Sequence, residues 1–239
     1  QGYKCVKENS VFVRFKVKGE ENTYLAAWTT TPWTLPSNVA LCVSPSDEYS
    51  MIKVSTDLDG SEKDVYYYMA TTLVGTLFEN YETVKTMKGN ELCGIEYEPL
   101  LPYADEELKA AKKKSHYVVS DSYVTMSDGT GIVHIAPAFG EDDARVGRTN
   151  DLPFIQLVKE DGKLPECCGE FAGLFVKDAD PLVIKKLNME AKLLKKMPYE
   201  HDYPFCWRCD TPLIYYARES WYIKETAVRD DLIRNNNTV

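Results

Sequence analysis

One stretch near the N-terminus restricts the fold more than any other. In Val11-Phe12-Val13-Arg14-Phe15-Lys16-Val17-Lys18, residues Val11, Val13, Phe15 and Val17 fall on one face, and Phe12, Arg14, Lys16 and Lys18 on the other. Side chains of an extended chain alternate between faces, so this period-two pattern predicts a half-buried antiparallel strand. Gly19-Glu20-Glu21-Asn22 supplies a turn and Thr23 to Trp28 the returning strand, which makes the pair a hairpin. Further strands are expected at Val39 to Val43, Tyr49 to Val54, Val65 to Met69 and Ile132 to Ile135, with Asp57-Leu58-Asp59-Gly60 turning between the second and third of these. Many short strands with a few helices predict a mixed, mainly β fold: a β-barrel core with inserted helices.

Four helices are expected. Thr71 or Thr72 caps one that runs to about Asn80. Asp105-Glu106-Glu107 opens another that ends in Lys112-Lys113-Lys114, with charges matched to the helix dipole. Gly140 to about Thr149 carries Glu141, Asp142 and Asp143 in its first turn. Asp180 as cap and Pro181 at the first helical position start the last; Leu182, Val183, Leu187, Leu194 and Met197 form its apolar stripe, and Pro198 stops it. From His201 to Trp221 the chain is dense in aromatic residues and reads as a return segment, so residues 1–200 are expected to form one domain and 201–239 to lead out of it.

Composition narrows the function. The 239 residues suit one large domain or one domain with appendages, and both ends read as cut points. No apolar run is long enough to span a membrane. A net charge of −9 argues against a broad basic face wrapped by nucleic acid, but leaves room for a pocket that takes one single-stranded RNA end. Seven scattered cysteines fit a reducing compartment better than a disulfide framework.

Two segments concentrate unusual chemistry. Trp28-Thr29-Thr30-Thr31-Pro32-Trp33-Thr34-Leu35-Pro36-Ser37-Asn38 packs four threonines, two tryptophans and two prolines into eleven residues. Pro32 and Pro36 end regular pairing, so hydroxyls and backbone can face a cavity; the plain alternative is a strand ending in a proline-rich turn. The second segment is Gly129-Thr130-Gly131-Ile132-Val133-His134-Ile135-Ala136-Pro137-Ala138-Phe139-Gly140-Glu141-Asp142-Asp143. Asp143 would lie in a helix's first turn, where free N–H groups favour the carboxylate form, and an ionised carboxylate at a pocket edge binds an ammonium. The alternatives are an acidic residue serving only as a cap, and a His134 that is a satisfied core residue.

Together, T-T-T-P-W-T-L-P-S-N followed about a hundred residues later by G-T-G-I-V-H-I-A-P-A-F-G-E-D-D resembles the editing insertion of isoleucyl-tRNA synthetases. Valyl and leucyl relatives typically carry T-T-R-P-E-T where this chain has Thr29-Thr30-Thr31-Pro32-Trp33-Thr34. His201 to Tyr215 is similar to that family's exit strand. The resemblance covers essentially the whole chain.

It implies a proofreading function. One missing methylene changes binding by roughly 1–3 kcal/mol, a range for which isoleucine against valine at such a synthetase is itself the reference case. The family's remedy is a second, smaller pocket that hydrolyses mischarged valyl-tRNA(Ile), and possibly valyl-adenylate. On this resemblance Asp143 holds the α-ammonium, Thr29, Thr30 and Thr31 position ester and water, Trp33 forms part of the wall, Asn38 holds the loop, and His134 helps discriminate valine from isoleucine. The implied chemistry is metal-free water attack on the aminoacyl ester, with no cofactor in this segment and ATP and magnesium serving the full-length synthetase. The implied partners are the tRNA(Ile) 3′ end carrying valine and the rest of the synthetase chain. No membrane partner is implied, the isolated domain is expected to be monomeric, and the location is cytoplasmic. Cys206 and Cys209 are spaced as one half of a tetrahedral zinc site, and no zinc is expected on them. Two other readings stand beside this one: a non-catalytic module that binds the tRNA 3′ end, and a zinc hydrolase using Cys206, Cys209 and His134, whose spacing is wrong for a three-ligand catalytic site.

Overall fold

The computed structural model describes residues 2–238. Its strands are β1 (Tyr3–Lys16), β2 (Thr23–Thr29), β3 (Ala40–Val43), β4 (Glu48–Thr56), β5 (Glu62–Ala70), β6 (Glu82–Lys88), β7 (Tyr117–Ser120), β8 (Ile132–Ile135) and β9 (Leu193–Pro204). The helices are α1 (Asp105–Ala111), α2 (Glu141–Thr149), α3 (Val176–Met189) and α4 (Glu225–Asn236). The expected hairpin is present: β1 and β2 pair antiparallel, with Val11 opposite Thr29 and Phe15 opposite Leu25.

β2 is the spine of the sheet. One edge carries β1; along the other, Thr23 to Leu25 pair with β5 and Trp28 pairs with Val133 of β8, both in parallel. β8 continues to β3 and then β7. The ring closes through residues 94–98. Val17 bridges to Tyr97 and Glu96 to Tyr117, the Lys18 N–H donates to the Glu96 carbonyl (2.8 Å), and the Val118 N–H donates to that of Ile95 (2.9 Å). This ring is the expected β-barrel core, and β5, β4 and β6 run off it as a flap. Val11, Val13 and Phe15 fill the interior with Leu25, Leu41 and Tyr97, and the Tyr97 ring meets Phe15 edge-on at 5.1 Å.

The first strand is more deeply buried than its alternation predicted. Phe12 and Arg14, on the opposite face, are buried too. The Arg14 guanidinium donates to Asp57 Oδ1 (2.5 Å) and to the Tyr67 hydroxyl (3.0 Å), and lies 4.3 Å from the Tyr24 ring centroid. The flap therefore covers this face, and the charge is paired rather than solvated.

Several helix limits differ from the sequence reading. The Thr71 segment is a short 3-10 turn, Thr71–Thr76, preceded by Ala70. α1 stops at Ala111 because Lys112 turns left-handed (φ 53°), which leaves the lysine run outside the helix. α3 begins at Val176, so Pro181 lies inside it and Asp180 does not cap it. It ends at Met189, and Leu194, Met197 and Pro198 belong to β9, which pairs with β1 from Tyr3 to Val13. β9 runs through residue 200 without a break. Residues beyond Phe205 are mostly exposed, and α4 buries no side chain. No helix is long and apolar enough to cross a membrane.

Candidate functional site

β2 ends at Thr29, and the two prolines then fold the chain into a 3-10 turn, Pro32–Ser37. This brings the threonines together. The Thr31 N–H donates to Thr29 Oγ1 (3.1 Å), and the Thr29 and Thr31 hydroxyls lie 3.2 Å apart. Thr34 Oγ1 lies 3.2 Å from Thr31 Oγ1 and 2.9 Å from His134 Nε2. Because Trp28 pairs with Val133, Thr29 and His134 are neighbours on the same face at one end of the barrel. Thr29, Thr34 and His134 are buried; Thr30 and Thr31 keep part of their surface open.

The network assigns the histidine tautomer. The Thr34 hydroxyl donates to the Thr31 carbonyl (2.8 Å), so at His134 it accepts, and Nε2 carries the proton. Burial pushes the His134 pKa down to about 4, so the ring is neutral. Its Nδ1 is then a buried acceptor with no hydrogen-bond partner among the described residues.

Asp143 lies in the first turn of α2, as expected. Its Oδ2 accepts the Ala136 N–H at 2.9 Å, two residues beyond His134. The expectation that the helix terminus would favour the charged form is corrected. Burial outweighs the Ala136 hydrogen bond, and with Asp142 nearby it raises the carboxyl to about 6. Gly140 makes the close approach possible, since a Cβ there would stand 3.1 Å from the Asp143 carboxyl carbon.

The two segments are clasped by an aromatic pair: Trp33 meets Phe139 edge-on, with ring centroids 5.1 Å apart. Trp33 is buried, and its indole N–H has no hydrogen-bond partner among the described residues. Asn38 is buried; its amide donates to the Ala40 carbonyl (2.8 Å) and its oxygen accepts from the Tyr97 hydroxyl (2.8 Å). That geometry suits holding the loop. A cleft of about 640 Å³ is lined by Phe154, Gln156, Glu160, Tyr216 and Ala217, and by none of Thr29, Thr31, Thr34, His134 or Asp143. The Ala217 N–H donates to the carbonyl of Ala138, in the loop between β8 and α2.

Sequence reasoning missed two residues here. Thr34 is three positions from Thr31, a spacing that puts both on one side of a tight turn and was available as a signal. Asp180 accepts the Trp33 backbone N–H at 2.8 Å from 147 residues away, and no local pattern announces such a contact. Among the described residues no group of three or more His, Cys, Asp or Glu side chains is arranged to hold a metal ion. Cys209 is exposed, with its pKa lowered chiefly by the Thr211 hydroxyl at 3.2 Å.

The fold is that of aminoacyl-tRNA synthetase editing domains. The crystal structure of GlLeuRS-CP1 superposes with a TM-score of 0.58 at 12% identity, over 79% of this chain and 98% of that one. The P. knowlesi cytosolic leucyl-tRNA synthetase editing domain gives 0.56 at 12% identity, over 81% and 97%. By sequence, the whole chain matches the isoleucine–tRNA ligases of Clostridium acetobutylicum at 48% identity and Thermoplasma volcanium at 44%, and spans 22% of their length. Along its whole length the chain is similar to one segment of isoleucine–tRNA ligases. No protein-family model matches it.

Proposed function

We propose that this segment hydrolyses valine from mischarged tRNA(Ile). The observation that carries the reading is the hydrogen-bonded network of Thr29, Thr31, Thr34 and His134, with the Asp143 carboxyl anchored at Ala136, two residues beyond His134. The substrate ester enters past Thr30 and Thr31, which keep part of their surface open. Its α-ammonium pairs with the Asp143 carboxylate, a charge that offsets the burial raising that pKa. The amino-acid side chain lies against His134, whose neutral ring and packed surroundings admit valine and clash with isoleucine.

Water adds to the ester carbonyl carbon, and backbone N–H groups with the threonine hydroxyls stabilise the developing oxyanion. The carbon–oxygen bond to the ribose then breaks. The ribose oxygen leaves with a proton, relayed by the neighbouring ribose hydroxyl, and free valine and uncharged tRNA remain. Most of the acceleration comes from holding water and ester together. His134 is not assigned as the base, because its unpartnered Nδ1 is buried and a pKa of about 4 makes the ring a weak proton acceptor.

The test is deacylation of valyl-tRNA(Ile) and isoleucyl-tRNA(Ile) by the full-length synthetase carrying this segment, with and without chelator. Loss of valine alone, unaffected by chelator, is expected. Tight binding of both without turnover identifies a non-catalytic RNA-end module instead, and loss of activity with chelator identifies a metal enzyme.

A further inference from the structure

A 3-10 turn begins with backbone N–H groups that its own bonds cannot satisfy. In the turn Pro32–Ser37, Pro32 has no N–H, the Thr34 N–H donates to the Thr31 carbonyl at 3.0 Å, and Thr31 provides no side-chain cap. The Trp33 N–H is left over. Asp180 accepts it, from the second turn of α3. The acid has no such duty in its own helix, where it sits five residues in and caps nothing.

We infer that Asp180 is a positioning residue for the hydrolytic site: it caps the threonine turn from across the fold and so fixes the hydroxyls of Thr31 and Thr34. Through Trp33 the same bond seats the indole on Phe139, in the loop that leads to Asp143, so one carboxyl sets both halves of the site. This rests on the hydrolytic function proposed above.

The arrangement has a cost that a merely decorative acid would not carry. Burial raises the Asp180 carboxyl to about 7, against the opposing pull of Lys177 and of the Trp33 N–H, with Glu8 adding to the rise. The groups around it come from three elements. Lys177 of α3 pairs with Glu8 of β1 at 2.8 Å, Glu8 lies 3.2 Å from His201 of β9, and Lys177 sits 4.3 Å from the Tyr203 ring centroid, also in β9. Lys177 is thus already paired, and Asp180 is left to the turn.

Steady-state hydrolysis of valyl-tRNA(Ile) by the full-length enzyme tests the inference in two variants. Asp180→Asn keeps an oxygen able to accept from Trp33, and Asp180→Ala does not. The expected result is kcat at least ~10-fold lower for Asp180→Ala, with KM within about 2-fold, and Asp180→Asn within about 3-fold of wild type. Hydrogen exchange should show the Trp33 amide losing protection in Asp180→Ala while the amides of the β1–β9 ladder keep theirs. If the alanine variant does not fold, Asp180→Ser, whose hydroxyl falls short of Trp33, is measured the same way. Wild-type kcat in Asp180→Ala or Asp180→Ser, or Asp180→Asn as slow as Asp180→Ala, overturns the inference alone. Absence of hydrolysis by wild type overturns it together with the proposed function.

Discussion

Asp143 is asked to be buried enough to grip an ammonium tightly and charged enough to grip it at all. Its pKa of about 6 marks that compromise. A carboxyl whose folded pKa is raised binds protons more readily folded than unfolded, so its stabilising contribution is complete below about pH 4 and is lost as pH rises through 6. Asp143→Asn keeps an acceptor for Ala136 and removes that loss. The variant should gain about 1–2 kcal/mol at pH 8, discounted for the partly open position, and nothing at pH 4. Denaturant titrations at the two pH values check it. His134 has the opposite sign: its pKa is lowered to about 4, so its contribution is present above about 6.5 and lost as pH falls through 4. Cutting it to alanine should relax selectivity, raising hydrolysis of isoleucyl-tRNA(Ile) at least ~10-fold, as a deacylation assay with that ester would read. Thr29, Thr31, His134 and Asp143 stood out in the sequence through the resemblance to the isoleucyl editing insertion; the structure joins the first three in one hydrogen-bonded network and places Asp143 on the Ala136 N–H. Thr30 was named with them, but it enters no part of the hydroxyl network described above. The raised pKa was not legible, since burial is set by packing from elsewhere.

At the level of elements, the strands with clean alternation or a run of β-branched residues were readable, and β8 has the limits expected. β9 was not. Its sequence, Leu193 to Pro204, has apolar residues at helical spacing and two prolines, and only its pairing with β1 makes it a strand. The start of α3 was misread for a related reason. Asp180-Pro181 is a good local cap, but Asp180 is taken by a distant turn. The loop into β8 depends on Gly131, whose φ is +70° and where a Cβ would stand 2.5 Å from that of Ala70. Gly131→Ala should cost about 2–4 kcal/mol in chemical denaturation, from backbone strain and overpacking together.

For the whole molecule, the barrel and its flap are joined by a buried charge. Arg14 donates to Asp57 and Tyr67, and its Nε donates to the Ala191 carbonyl at 2.7 Å. Removing it with Arg14→Ala leaves Asp57 with only the Leu58 N–H at 2.7 Å and Lys63 at 3.6 Å, and should cost about 3–5 kcal/mol by denaturant melts. The barrel class was legible from the many short strands, but its closure through residues 94–98 was not, because isolated bridges leave no periodic trace. The proposal that hydroxyls and carboxylate act as one site reduces to a single comparison. Full-length enzyme and its Asp143→Asn variant are mixed with valyl-tRNA(Ile) in excess of KM at neutral pH, and ester loss is followed over one turnover. The account predicts a rate at least ~100-fold lower in the variant. Equal rates would mean that the ammonium is held elsewhere, and the account would fail.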